Sequence, residues 1–276
     1  MSAPGDLDAS PLGHATTYAE GYDPALLFVV DRAPQRGELQ LGAALPFRGV
    51  DIWNAYELSW LDTAGKPQIA IATFAVPAES PRLVESKSVK LYLTAMNQAR
   101  FSSEQEIRQT ITRDLSHATG ANVGVTLTLP ADFATFPHAE PAGECLDALP
   151  IGVDRFELVP EVLSAKGRIV DETLFSRLFR SVCPVTGQPD YATIELVYRG
   201  LRIDRDGLLR YLVSFRRHPG FHEHCVERIF VDVWRRCGPE RLSVGAWFTR
   251  RGGIDINPYR TSGDMPSPPN ARAARQ

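Results

Sequence analysis

The apolar spacing of this chain changes period in the same order twice, and that repetition limits the folds open to it more than any other feature. In the first half, Ile52 to Leu61 and Gln68 to Val76 read as strands around the turn Thr63-Ala64-Gly65-Lys66-Pro67. Ser88 to Asn97 then reads as a short helix and Glu104 to Ala118 as a longer one. Ser103 with Glu106 makes a capping box, Ile107, Ile111 and Leu115 form one stripe, and Gly120 is a stop. Val123, Val125, Leu127 and Leu129 alternate with small or polar residues, as in a strand with one buried face.

The second half repeats the order. Leu174 to Val182 and Ala192 to Arg199 are extended, and Asp206 to Arg217 is helical up to His218-Pro219-Gly220. His222 to Arg236 carries Val226, Ile229, Phe230 and Val233 on one helical stripe. Leu242 to Thr249 reads as a strand leading to the turn Arg251-Gly252-Gly253. Strands, two helices, then strands, twice over, predict an α+β protein with duplicated halves. We place these halves at 15–130 and 167–263, joined by a Pro-, Ala- and acid-rich connector at 131–166. Residues 1–14 and 264–276 lack periodicity and read as mobile tails.

Composition narrows the classes of function. The chain has 276 residues, is 43% hydrophobic, and has no apolar run near the length of a membrane span. Its N-terminus lacks the basic and apolar regions of a secretory signal. The net charge of −3 argues against a nucleic-acid footprint. Cys145, Cys183, Cys225 and Cys237 show no framework spacing, which points to a reducing cytoplasm and free thiols. Neither a G-x-G-x-x-G fingerprint nor a P-loop is present, and His222-Glu223-His224-Cys225-Val226 has valine where a zincin needs its second histidine.

Three constellations carry chemistry. Ser181-Val182-Cys183-Pro184-Val185-Thr186-Gly187-Gln188-Pro189-Asp190 lies between two strands, with Pro and Gly stiffening a loop that has Cys183 at its start and Asp190 at its end. A reactive thiol needs help from its surroundings, and a nearby acid supplies the matching proton. By composition alone, a buried structural cysteine is the more common case. Phe221-His222-Glu223 opens a helix, where a carboxylate is favoured by the dipole. Such a group suits a ligand edge with two adjacent N–H donors, as a guanine-like base has, but it equally reads as a capping acid. Val84-Glu85-Ser86-Lys87-Ser88 opens another helix, either as a polar-ligand site or as a solvated capping turn.

Glu85-Ser86-Lys87-Ser88-Val89-Lys90-Leu91-Tyr92, followed by Asn97-Gln98-Ala99-Arg100-Phe101, resembles the signature of the NADPH-dependent 7-cyano-7-deazaguanine reductases. The Cys183–Asp190 loop, Phe221-His222-Glu223, Arg250-Arg251-Gly252-Gly253-Ile254-Asp255 and Tyr22-Asp23-Pro24-Ala25-Leu26-Leu27 resemble the same family, so the likeness spans nearly the whole chain. Val84, where a bulkier aliphatic is expected, and Tyr191 are mild departures. The resemblance implies a tunnelling fold (T-fold) of two ββααββ halves in tandem and a homodimeric assembly. It also implies a four-electron, metal-free reduction of a nitrile to an aminomethyl group in queuosine synthesis, with NADPH as cofactor. On that resemblance, Cys183 is the nucleophile that forms a thioimidate, and Asp190 is the proton donor. Val84, Glu85, Ser86, His222 and Glu223 hold the base, while Ser86, Lys87, Arg251 and Gly252 meet NADPH. The competing reading is a zinc-dependent T-fold hydrolase of the GTP cyclohydrolase kind, with Cys183, His222, His224 and Cys225 as ligands.

Overall fold

The computed structural model describes residues 21–42, 44–263, 265 and 269–276. It divides into two compact units that draw on interleaved segments of the chain. Among the described residues, unit one comprises 21–35, 51–137 and 250–256, and unit two comprises 36–42, 44–50, 138–249, 257–263, 265 and 269–276. Among the described residues, no helix is long and apolar enough to cross a membrane.

In unit one, strand β1 (Val29–Asp31) is followed by β2 (Arg48–Leu61), which begins in unit two, and by β3 (Pro67–Pro77). Next come β4 (Arg82–Val84), α2 (Ser86–Ala95), α3 (Glu104–Thr119) and β5 (Gly124–Thr128). The main sheet runs β5-β3-β2, while β4 pairs antiparallel with β1. Trp53, Leu58 and Phe74 from the sheet meet Tyr92 of α2, Met96 just after it, and Ile107, Ile111 and Leu115 of α3 in one core. Ser103 caps α3 by accepting from the Glu106 amide, and Gly120 ends it at φ 74°. The capping box is displaced by one residue, because the Glu106 carboxylate accepts from the amide and hydroxyl of Ser102. Asp114 on α3 accepts from both Tyr92 and Tyr22, tying the Tyr22–Leu27 segment to the two helices.

Unit two holds the short helix α1 (Ala33–Glu38, from Arg36 onward), β6 (Glu144–Cys145), β7 (Ala165–Val182) and β8 (Pro189–Ile203). It continues with α4 (Arg205–Ser214), α5 (His222–Cys237), β9 (Arg241–Phe248) and β10 (Ile254–Thr261), whose first residues belong to unit one. The strand order β10-β9-β8-β7-β6 is antiparallel apart from the last pair. Val226, Ile229, Phe230 and Val233 are buried against Ile194, Leu196, Val244 and Phe248. Each large side chain sequestered this way contributes roughly 1.5–3 kcal/mol. Strands, two helices and a strand return therefore occur twice, as β2-β3-β4-α2-α3-β5 and β7-β8-α4-α5-β9-β10, with one returning strand in the first run and two in the second.

Three features depart from the periodic reading. β7 begins at Ala165 rather than at Leu174, because its first residues pair with β8 across an irregularity between Lys166 and Ile169 and stay largely exposed, Ile169 included, so they show no buried face. β10 has every residue buried, which removes the alternation that marks a one-faced strand. Residues 269–276 pack rather than forming a mobile tail: Gln276 Nε2 donates to the Phe248 carbonyl at 3.1 Å and to Asn257 Oδ1 at 2.8 Å, and Ala271 and Ala273 are buried.

On β8, Glu195 faces away from the helices into a cavity of about 430 Å³ lined by Val197, Trp247 and Tyr259. It has no hydrogen-bond or ionic partner among the described residues, and burial pushes its carboxyl up to about 7. The folded form thus prefers the protonated acid, so its destabilising effect is absent below the unfolded value near ~4.3, grows towards pH 7, and is complete above it. Glu195→Gln should raise the melting temperature by a few degrees at pH 8, equivalent to about 1–2 kcal/mol after discounting for solvent. At pH 4.5 calorimetry should find the two proteins alike.

Candidate active site

Cys183 is the first residue after β7 and Asp190 the second of β8, so they flank the neck of one hairpin. Ser181 pairs with Asp190 and Val182 with Pro189. The ladder continues one residue further, with the Cys183 amide donating to the Gln188 carbonyl at 2.8 Å and the Gly187 amide to the Cys183 carbonyl at 2.9 Å. The two-residue side-chain period puts Cys183, Ser181 and Asp190 on the same face, the face that is buried. Cys183 and Asp190 are each 5% exposed.

Helix α5 starts at this neck because the segment before it is strapped to the hairpin. The Val182 amide donates to the His218 carbonyl at 3.0 Å, and the Gly220 amide donates to the Val182 carbonyl at 3.1 Å. Phe221 caps α5 without a side-chain hydrogen bond, and Glu223 lies buried in its first turn. His222 Nε2 stands 3.5 Å from Asp190 Oδ2, and its ring stacks on Phe248 with centroids 3.7 Å apart and planes 6° apart. That stack fixes the imidazole plane, while the buried His222 Nδ1 has no hydrogen-bond partner among the described residues. A buried polar atom without a partner is costly, and a polar ligand edge would relieve it.

Cys225 and Cys237, the other buried thiols of this unit, are poor nucleophiles. Burial, reinforced by the negative charges of Asp190 and Glu223, pushes the Cys225 thiol up to about 12, and burial pushes Cys237 to about 11. Burial, with Arg228 adding to it, lowers His224 to about 4, and its ring stacks with that of His218. His222 and His224 are two residues apart on one helix and point to different sides, so they do not converge with Cys183 on one ion.

The remaining candidates lie in unit one. Glu85 is fully buried and caps α2, with its carboxylate accepting from the Lys87 amide at 2.7 Å, the Ser88 amide at 2.9 Å and the Ser86 hydroxyl at 3.2 Å. Val84 is buried by pairing with Val29, whereas Ser86 and Lys87 keep exposed surface. Arg251 and Ile254 exchange backbone hydrogen bonds around Gly252 and Gly253, at φ 58° and 79°. A Cβ on Gly253 would lie 2.4 Å from Glu57 Cδ, the end of an exposed side chain that can swing aside, so it is the left-handed backbone that favours glycine there. A Cβ on the exposed Gly252 would lie 3.3 Å from Lys90 Nζ, which also pairs with Glu57 at 3.4 Å. Lys90 was not among the residues singled out by sequence. Its spacing three positions after Lys87, on one face of α2, is the signal that would have found it. Lys90 beside the exposed Gly252, with Arg250 and Arg251 in the same turn, is a donor set suited to a phosphate-bearing dinucleotide.

Residues 18–127 match the family described as "Nitrile reductase, 7-cyano-7-deazaguanine-reductase N-term", and residues 189–267 match the QueF-like protein family. The chain is 53% identical over 271 residues to the NADPH-dependent 7-cyano-7-deazaguanine reductase of Bordetella avium (strain 197N), covering 98% of this chain and 99% of that one. It is 54% identical over 271 residues, with the same coverage, to the reductase of that name from Bordetella pertussis. The Burkholderia ambifaria (strain MC40-6) reductase is 55% identical over 269 residues, 97% of this chain and 98% of its own. With identity of this order along almost its entire length, the chain belongs to the family of NADPH-dependent 7-cyano-7-deazaguanine reductases.

Proposed function

We propose that this protein reduces the nitrile of 7-cyano-7-deazaguanine to the aminomethyl group, as a step in queuosine synthesis, through a covalent adduct on Cys183. The observation that carries the reading is the hairpin neck, where Cys183 and Asp190 flank one another and the α5 terminus brings His222 and Glu223 alongside. The Cys183 sulfur adds to the nitrile carbon as its S–H bond and one C–N π bond break. The thiol proton is relayed through Asp190 to the nitrogen, giving a neutral thioimidate. The addition converts an unreactive triple bond into a C=N that accepts hydride. His222, its plane set by Phe248, holds the Asp190 carboxyl in line. Glu223 accepts from the two adjacent N–H donors of the base, and Val84, Glu85 and Ser86 complete the base-holding set. Glu85 acts by shaping the α2 terminus that its carboxylate caps.

When bound, NADPH supplies hydride, two equivalents per product. Ser86, Lys87, Arg251 and Gly252 hold it, with Lys90 added by its approach to the Gly252 turn. Hydrolysis of a half-reduced imine is avoided if these residues keep water out, which makes enclosure part of the chemistry. The same reading gives two duplicated halves at 15–130 and 167–263, a homodimer, and a reducing cytoplasm that keeps Cys183 a thiol. It involves no direct contact with nucleic acid.

Cys183→Ala should abolish both turnover and the absorbance change on mixing with the nitrile, whereas wild type consumes two NADPH per product. Asp190→Asn should slow adduct formation by about 10²–10⁴-fold while substrate still binds. Glu223→Gln loses a charge-assisted pair, so calorimetry should find substrate binding weakened about 10–100-fold. Native affinity in that variant would refute the anchor.

A further inference from the structure

We infer that Tyr56 is a positioning residue for cofactor binding, one that sets the Arg250–Asp255 turn through three separate contacts. This rests on the reading above that the turn takes NADPH. The Tyr56 amide donates to the Gly253 carbonyl at 2.9 Å. Its ring lies under the Arg250 guanidinium, 4.2 Å from centroid to Cζ. Its hydroxyl donates to Asp255 Oδ2 at 2.6 Å. Backbone, cation and carboxylate of one six-residue turn are thus gripped by a single side chain and its own amide.

The grip is itself anchored. Asp255 is 1% exposed and also accepts from Asn54 Nδ2 at 2.9 Å, while Asn54 Oδ1 accepts from Thr73 Oγ1 at 2.9 Å. Phe136 meets the Tyr56 ring edge-on at 6.0 Å. The turn itself carries two consecutive left-handed glycines and an exposed tip at Gly252, so its own backbone restrains it weakly. Arg250 packs on the ring, and Arg251 and Gly252 form the part of the turn that the cofactor reading assigns to a phosphate. Tyr56 does not touch the reacting atoms. It spares the turn an ordering cost that ligand binding would otherwise meet.

The test is titration calorimetry with NADP⁺ on the full chain, comparing Tyr56→Phe, Tyr56→Leu and Arg251→Ala. Tyr56→Phe should raise the Kd several-fold and Tyr56→Leu about tenfold or more, since it loses both the ring and the hydroxyl. Amide hydrogen exchange at Arg251 and Ile254 should quicken in both. The rate of nitrile adduct formation on Cys183 should stay at the wild-type value, which general damage to the fold would not allow. If both Tyr56 variants bind NADP⁺ within twofold of wild type while Arg251→Ala does not, the inference falls and the cofactor reading stands. If Arg251→Ala also keeps its affinity, the cofactor reading falls and takes the inference with it. Loss of adduct formation in step with loss of binding would also overturn it.

Discussion

Two backbone hydrogen bonds, from the Val182 amide to the His218 carbonyl and from the Gly220 amide back to the Val182 carbonyl, decide where helix α5 begins. Because they come from the last residue of β7, the helix start is registered to the residue directly before Cys183. No side-chain choice on α5 could achieve this, since side chains set a helix's rotation about its axis more firmly than its position along it. The other anchor of α5 is one turn beyond Glu223. There the buried Glu227 accepts from Arg36 and from the fully buried Arg260. Removing one partner from such a cluster strands a buried charge, at a cost of about 3–5 kcal/mol. Glu223, the carboxylate proposed to hold the base, therefore sits on a helix fixed axially by backbone and laterally by charge.

Unit one uses a different device. Glu85 spends its carboxylate on its own helix, accepting from two backbone amides and one hydroxyl. A helix start capped by a buried acid is rigid, and it presents Ser86 and Lys87 at a defined angle. The glycine turn at 252–253 cannot cap itself in this way and takes its shape from neighbours, with Glu57 against Gly253 and Lys90 against Gly252. The two elements read from sequence as cofactor-binding thus differ in kind: one is preorganised by its own residues and the other is held from outside.

How much was legible in the sequence follows from which interactions are local. The helix over Glu104–Thr119 could be bounded within a residue because its cap, stripe and glycine stop are all short-range, and the α5 stripe was equally plain. Cys183 and Asp190 could be paired because the hairpin joins them through the chain itself. β10 could not be seen, since a strand buried on both faces and carrying Asp255, Asn257 and Arg260 has no periodicity to read. The same holds for the stack of His222 on Phe248 and for the part played by Lys90, because each depends on residues far apart in sequence meeting at short range. The competing readings of Glu85 and Glu223, as caps or as ligand groups, were open for the same reason: a helix N-terminus favours an acid whatever lies beyond it.

The ring that sets the plane of His222 is itself braced from the far end of the chain. Phe248 donates its amide to Asn257, and Gln276 Nε2 bonds both the Phe248 carbonyl and Asn257 Oδ1. Gln276 is in turn held by Arg272, which donates to its main-chain oxygen, and by the Ala273 amide. Loss of the Gln276 side chain would therefore be felt at an imidazole beside the hairpin neck, with the hydrophobic core of the unit untouched.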